Sequence, residues 1–405
     1  MELPSVRVFV VELTLIVGVV TGDTVPVPAQ QVVDLPALDR PLAVEYRELQ
    51  RFGALTHGWD AFARVSSVAF LLDGALVITD LRSQRVTVAN VMTGELLSEI
   101  SKQGDGPGEI RQIHDVLTAP NGITVYDRGK MAFQVYSMNG ELESYVPVGV
   151  AAREWLSPDL VASSQHLEVI HVPEVVSYST HRPIMRLTLD GARMKSSLWA
   201  HAWRSGDQRN DSNDQFRWDP RTGSSGLDAF YPDLYLDVLP DGSLLMVDSS
   251  AYEIKVVSPA SGTLSRIIRR PVPPVRVTDA IRDEEKSRRR READTRVPPS
   301  PRELMDAYLA AIDELAFYPE LSVITAIQAS RAGEVWVRRR SSVDPLDENG
   351  PIDVISASGD YMGTIAASDF DMPAALGPLG LVSFLEVDER GVQIVVVGEL
   401  FLEAG

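Results

Sequence analysis

Val68-Ala69-Phe70-Leu71-Leu72-Asp73-Gly74-Ala75-Leu76-Val77-Ile78-Thr79-Asp80 is the stretch that decides the fold. Two apolar runs flank an Asp-Gly pair. Asp-Gly supplies the positive-φ positions that a tight hairpin needs. The flanking β-branched and aromatic residues suit strands. A third run, Arg85-Val86-Thr87-Val88, leads to a second turn at Thr93-Gly94. The unit is therefore strand, glycine turn, strand ending near Asp, strand, glycine turn.

The unit recurs. Val116 to Asp127 turns at Asn121-Gly122 and continues through Phe133-Gln134-Val135-Tyr136 to Asn139-Gly140. Asp237 to Asp248 turns at Asp241-Gly242 and continues through Ile254-Lys255-Val256-Val257 to Ser261-Gly262. A looser copy runs from Ile324 to Val337 with its turn at Ala332-Gly333, and its third strand is Asp353-Val354-Ile355. One small antiparallel sheet cannot bury both its faces. Repetition around an axis buries them by stacking sheet on sheet.

The hairpin glycines Gly74, Gly122, Gly242 and Gly333 are separated by 48, 120 and 91 residues. A propeller blade takes about 40–50 residues. The long gap holds a further unit at residues 156–200, and Ala374 to Val397 supplies the last. The fold expected is all-β: a six-bladed β-propeller with antiparallel blades. The final unit has three evident strands, and Ala43 to Leu49 is the strand left over. It is expected to close the ring as the outer strand of the last blade, which removes an exposed edge. The domain limits expected are a signal peptide at 1–29 and the propeller at 30–405. Insertions are expected at 199–234 (aromatic) and 276–317 (helical, broken by Pro298, Pro299 and Pro301).

Gly104-Asp105-Gly106-Pro107-Gly108-Glu109-Ile110 links two blades. With the Asn121-Gly122 hairpin, the Gly333-Glu334-Val335-Trp336-Val337 strand and the Asp388-Glu389-Arg390-Gly391-Val392 turn, it resembles a family of bacterial exported six-bladed β-propellers related to NHL repeats. The resemblance covers residues 43–400. It implies architecture more than activity, because members of that family are mostly of unassigned function and propellers host many functions.

The chain has 38 basic and 57 acidic residues, a formal charge of −19. That argues against nucleic acid and anionic membranes as partners. It has no cysteine, which excludes disulfides, thiolate chemistry and Cys-ligated metals. The apolar run from Val8 to Val20 is too short to span a bilayer, which takes about 20 residues. Arg7 precedes it, and Val27-Pro28-Ala29 resembles a small-residue cleavage site. The expectation is export to the periplasm or beyond, with no transmembrane segment after cleavage.

No Walker loop, Gly-x-Ser-x-Gly elbow or His-Glu-x-x-His stands in the sequence. Arg111, His114 and Asp115 precede or open an inner strand, where side chains meet the channel mouth. His57, Trp59 and Asp60 form the equivalent loop before the first blade. Trp203 and Trp218 belong to an aromatic segment with Arg204, Arg209 and Arg217, residue types that dominate binding hot spots. These eight residues from His57 to Trp218 are the candidate ligand-binding set. His166, Glu168 and His171 are spaced poorly for one metal and read as exposed strand residues. Residues 276–296 carry 8 basic and 6 acidic residues, so the four arginines 288–291 read as a self-paired helix.

The leading functional expectation is a non-enzymatic binding or interaction scaffold, without cofactor. Its partner would be a small molecule, a glycan or a protein. The alternative is a divalent-metal-dependent hydrolase or lyase, by analogy with lactonase-like propellers of this shape. That reading would place calcium in the channel near Asp115 and Asp237, with Asn121 and Asp241 at turns.

Overall fold

The computed structural model describes residues 30–404 apart from positions 56, 101, 107, 120–121, 149–158, 163–166, 174–180, 192, 204–227 and 296–301. Six antiparallel sheets form six blades. Blade one is Val65–Phe70, Leu76–Asp80, Arg85–Ala89 and Leu96–Ile100. Blade two is Ile113–Ala119, Gly122–Asp127, Ala132–Ser137 and Leu142–Pro147. Blade three is Asp159–Ala162, Glu168–Val172, His181–Asp190 and Arg193–Trp203. Blade four is Tyr235–Val238, Leu244–Val247, Glu253–Val257 and Leu264–Arg269. Blade five is Ile324–Ala329, Val335–Arg339, Ile352–Ile355 and Tyr361–Ile365. Blade six is Ala375–Leu376, Leu381–Val387, Gln393–Ala404 and, as its outer strand, Leu42–Phe52. The hairpin glycines Gly74, Gly242 and Gly333 all hold φ between +86° and +88°, where a side chain would be strained.

The core is divided into six clusters, one at each junction between neighbouring blades. Val77, Val86 and Val88 of blade one, for example, pack on Ile123, Val125 and Tyr136 of blade two. Second strands are covered on both faces. Leu76–Asp80 and Gly122–Asp127 are buried at every position, which is why they read as continuous apolar runs. Each fully buried aliphatic side chain contributes about 1.5–3 kcal/mol.

The aspartates that end second strands tie each blade to the segment entering it. Asp80 accepts from the Ala63 and Arg64 N–H groups, at 2.7 and 3.0 Å. Asp127 accepts from Arg111 and Gln112, at 2.8 and 2.9 Å. Asp248 accepts from Trp203 at 2.6 Å. The connector 104–110 is organised the same way. The Glu109 carboxylate accepts from Gly106 N–H, and the Lys130 ammonium donates to the Gly106 and Glu109 carbonyls.

Ring closure follows the sequence expectation. Leu42–Phe52 (β2) pairs antiparallel with the C-terminal strand, from Leu42 opposite Ala404 to Phe52 opposite Val395. An unexpected strand precedes it. Gln31–Asp34 (β1) adds in parallel to the outer strand of blade four. Between the two, Pro41 bridges Thr364 on the outer strand of blade five. Residues 31–52 therefore run along the outer edges of blades four, five and six in turn.

A buried ionic network lies under this strap. The Arg270 guanidinium, fully buried, donates to Asp353 at 2.7 Å and to Asp39 of the strap at 2.6 Å. Arg339 also reaches Asp39 and Asp353, at 2.8 and 3.2 Å. Thr364 donates to the other Asp353 oxygen at 2.6 Å. Arg270 stacks over the Tyr361 ring, 4.6 Å from its centroid.

The inner strands all start at one end of the molecule. The loops between blades, and the turns between second and third strands, lie at that end, here termed the loop face. The opposite end carries the short hairpins and is termed the hairpin face. The helical insertion, α1 (Asp279–Thr295) and α2 (Arg302–Asp313), connects blades four and five on the loop face. Its four consecutive arginines meet Glu284, Glu285, Glu292 and Asp313, all within the insertion.

Removing one partner of the buried network strands a charge. Asp353→Ala should cost about 3–5 kcal/mol, read by urea unfolding. Arg47→Ala, which breaks the exposed Arg47–Glu399 pair, should cost less than about 1 kcal/mol.

Candidate functional site

The described candidates from the sequence gather on the loop face, but they do not form one cluster. His57 is exposed. Trp59 folds back, with its ring 5.3 Å from Phe52 and packed on the junction of blades six and one. Asp60 accepts from the Gly53 N–H at 3.0 Å and so braces its own loop. The Arg111 guanidinium is exposed, pairing with Asp105 at 2.6 Å and donating to the Gly129 carbonyl at 3.2 Å.

His114 and Asp115, near the start of the blade-two inner strand, form a tight pair. His114 Nδ1 lies 2.6 Å from Asp115 Oδ2. The imidazole also meets the edge of Tyr126, with centroids 5.7 Å apart. A carboxylate at Nδ1 favours the tautomer with its proton there. That leaves Nε2 as an acceptor in the neutral ring. Both side chains keep about a quarter to a third of their exposure (26% and 30%). The pair can therefore present Nε2 to a ligand's hydrogen-bond donor.

The aromatic segment divides. Trp199 and Trp203 lie in the outer strand of blade three. Trp199 is a buried wedge against blade four: its Nε1 donates to the Ser258 carbonyl at 3.2 Å, and Arg186 stacks on its ring at 4.1 Å. Trp203 is part-buried at the strand's end. Trp218 and the arginines at 204, 209 and 217 lie outside the described residues. Beyond them, Asp228–Ala229 pairs in parallel with Ala316–Phe317 of the helical insertion. Phe230 meets Phe317, and Tyr231 meets Tyr318, with centroids 5.6 and 5.4 Å apart. These aromatics join the two insertions to each other.

The channel wall holds a carboxylate that the sequence offered only as a possible calcium ligand. Asp237, on the blade-four inner strand, accepts from the Val238 and Ala329 N–H groups at 2.7 and 2.6 Å. Asp237 is part-buried, and the loss of hydration pushes its pKa up to about 6, against those two hydrogen bonds and the charge of Arg331. Asp241 accepts from the Ser243 N–H and serves its hairpin. Asn121 lies outside the described residues. Among the described residues, no three His, Asp or Glu side chains gather as a metal site.

The His166, Glu168, His171 set needs a correction. His171 is wholly buried, with Leu160 and Met185 opposite it on the flanking strands. Its position faces the interior because the third blade's second strand is covered on both sides. Glu168 pairs with Arg186 at 2.8 Å, and His166 lies outside the described residues. Burial drives the His171 pKa from 6.5 down to about 4.

Two opposed pH dependences result. Folded His171 resists a proton that the unfolded chain accepts. It therefore costs stability as pH falls from about 6.5 to 4, by up to about 3 kcal/mol. Folded Asp237 holds a proton that the unfolded chain releases. Stability is lost as pH rises from about 4 to 6, again by at most about 3 kcal/mol. The two slopes oppose each other over pH 4–6. Relative to the parent, His171→Leu should lose stability with rising pH in this window, and Asp237→Asn should gain it. Urea unfolding at half-unit pH steps checks both signs.

No protein-family model and no curated protein sequence matches the chain. Among solved structures it is similar to a Bacteroides vulgatus protein of the DUF4221 family. The TM-score is 0.52 at 9% identity, over 90% of this chain and 100% of that one. It also aligns with a Bacteroides fragilis protein inferred to be exported, with TM-score 0.47 at 10% identity, over 92% of this chain and 100% of that one. At such identities the likeness speaks to fold alone, and the fold is the six-bladed β-propeller that the chain's own strands build.

Proposed function

We propose that the protein is an exported, non-enzymatic binding or interaction scaffold that docks its partner on the loop face. One observation carries this reading: the elaboration of the molecule is one-sided. The chain leaves blade three at Trp203 and returns at Asp228 on the loop face. The paired helices stand on the same face, as does the blade-five loop between Arg339 and Ile352. His57, Arg111 and the His114–Asp115 pair open there too. Loops on a rigid frame are where recognition concentrates, and the hairpin face carries short turns.

The expected partner is a small molecule, a glycan or a protein surface, and the net charge of −19 disfavours nucleic acid. No helix among the described residues is long and apolar enough to cross a membrane. The apolar run Val8 to Val20 and the small-residue pattern Val27-Pro28-Ala29 support a periplasmic or secreted location.

The second reading is a divalent-metal-dependent hydrolase or lyase acting in the channel. It draws on Asp115 and Asp237, both on inner strands. Calcium would need about 6–8 oxygen ligands there.

Glycan and peptide arrays probed with the full chain test the first reading. A ligand found there should bind the His57→Ala/His114→Ala double variant at least about tenfold more weakly, with an unchanged melting temperature. Unchanged affinity in that variant would remove the loop face from the account. About one divalent ion per chain after purification without chelator, measured by mass spectrometry, would favour the second reading instead.

A further inference from the structure

In blades one, four, five and six the hairpin between the first two strands is closed by the same bond. The Leu71 N–H donates to the Ala75 carbonyl at 2.9 Å, Leu239 to Ser243 at 2.9 Å, Ser330 to Glu334 at 2.8 Å and Gly377 to Leu381 at 2.7 Å. By that register, the residue before the hairpin glycine is Asp73, Asp241 and Ala332, and in blade six it is Leu379. Leu379 departs twice. It is large and apolar where the others are polar or small, and it alone of the four holds positive φ, at +55°. Positive φ is costly for a residue with a Cβ unless packing or hydrogen bonds offset it. At the other described non-glycine residues of this kind they do. Gln84 accepts from the Ile113 N–H, Met131 and Leu167 pack on the core between blades two and three, and Phe230 meets Phe317. Leu379 is 94% exposed. The fold gains no packing from it, and Asn would suit its backbone better.

Leu379 instead forms one wall of a cavity of about 310 Å³ on the hairpin face, at the junction of blades six and one. Val91, Met92 and Leu97 of blade one and Leu381 of blade six line it beside Leu379. Met92 and Leu97 are 69% and 54% exposed, so three exposed large apolar side chains converge on one concavity. Scattered singly, such residues need no explanation; gathered round a hollow, they mark a binding site. The polar lining is Asp73, Asn90 and Glu399, without Lys or Arg among the described residues. Glu399 is matched by Arg47, and Asn90 Oδ1 accepts from the Met92 and Thr93 N–H groups. Asp73 gives one oxygen to the Ala75 N–H at 3.0 Å and meets no cationic side chain among the described residues.

We propose that this cavity binds a small organic cation, a primary amine whose ammonium meets Asp73 and whose apolar body lies on Met92, Leu97 and Leu379. Small-molecule sites run from about 300 to 1,000 Å³, so a compact ligand fits. Charge selects the sign. An organic acid would face Asp73 with no basic group to receive it, on a chain of net charge −19. A second copy of the chain would bring the same carboxylates to the same rim. The cavity is on the opposite end from the loop face, so its failure would leave the loop-face reading standing.

The test is ligand-observed NMR titration and thermal unfolding of the full chain with two matched sets: hexylamine, hexanol and hexanoate; phenethylamine, phenethyl alcohol and phenylacetate. Sodium chloride of equal ionic strength is the control. At least one amine should bind about fivefold or more tightly than its matched alcohol, with the acid weakest. Leu379→Asn should weaken that amine at least about fivefold through lost apolar contact. Its melting temperature should be unchanged or higher, because Asn accepts positive φ. Asp73→Asn keeps an acceptor for the Ala75 N–H and should erase the difference between amine and alcohol. No binding by either amine, or unchanged affinity in Leu379→Asn, would overturn the site. Equal binding of amine and alcohol to the parent would overturn the ligand class. A lowered melting temperature in Leu379→Asn would assign Leu379 to the fold and overturn the inference as well.

Discussion

A ring of blades holds together only if its last junction is made. Here that junction is the pairing of Leu42–Phe52 with Gln393–Ala404, which joins the two ends of the described chain. The six core clusters each lie between two blades, and none lies within one. Opening the sixth blade would expose Phe52, Val395 and Val397 at one junction, and Val382 and Leu400 at the other. The closing strand thus supports cores it does not itself touch, because every blade needs neighbours on both sides.

The strap adds a second closure of a different kind. Hydrogen bonds hold its ends, at blades four and six, and charge holds its middle. Asp39 brings a carboxylate to two enclosed arginines, and Asp353 supplies the other. Blade five is the departure in this scheme. Where blades one, two and four end the second strand near Asp80, Asp127 and Asp248, blade five has Arg339. Its counter-ion Asp353 sits opposite Val337 on the next strand outward. The reversed charge lets this junction accept an acidic strap residue.

Much of the architecture was legible in the sequence because it is local. Asp-Gly and Asn-Gly hairpins, apolar runs and terminal aspartates recur at blade spacing, and each is set within a dozen residues. The leftover strand was legible by subtraction, since blade six lacked a fourth. The strand Gln31–Asp34 was not. It is four residues long, adds in parallel and pairs with residues more than 230 positions away, so no local pattern marks it. His171 was misjudged for a related reason. Period-two alternation assumes one wet face, and a second strand inside a propeller has none.

The register of the closing strand also sets a clock. Leu42 meets Ala404 and Phe52 meets Val395, so the first partner must wait for the last to be synthesised. At ribosomal rates of about 5–20 residues per second, that interval is roughly 20–70 s. For that time the early blades exist without the contact that locks them, and the non-local pairing makes closure slow even after release. A chain built this way stays pliable during synthesis and becomes rigid in one late step.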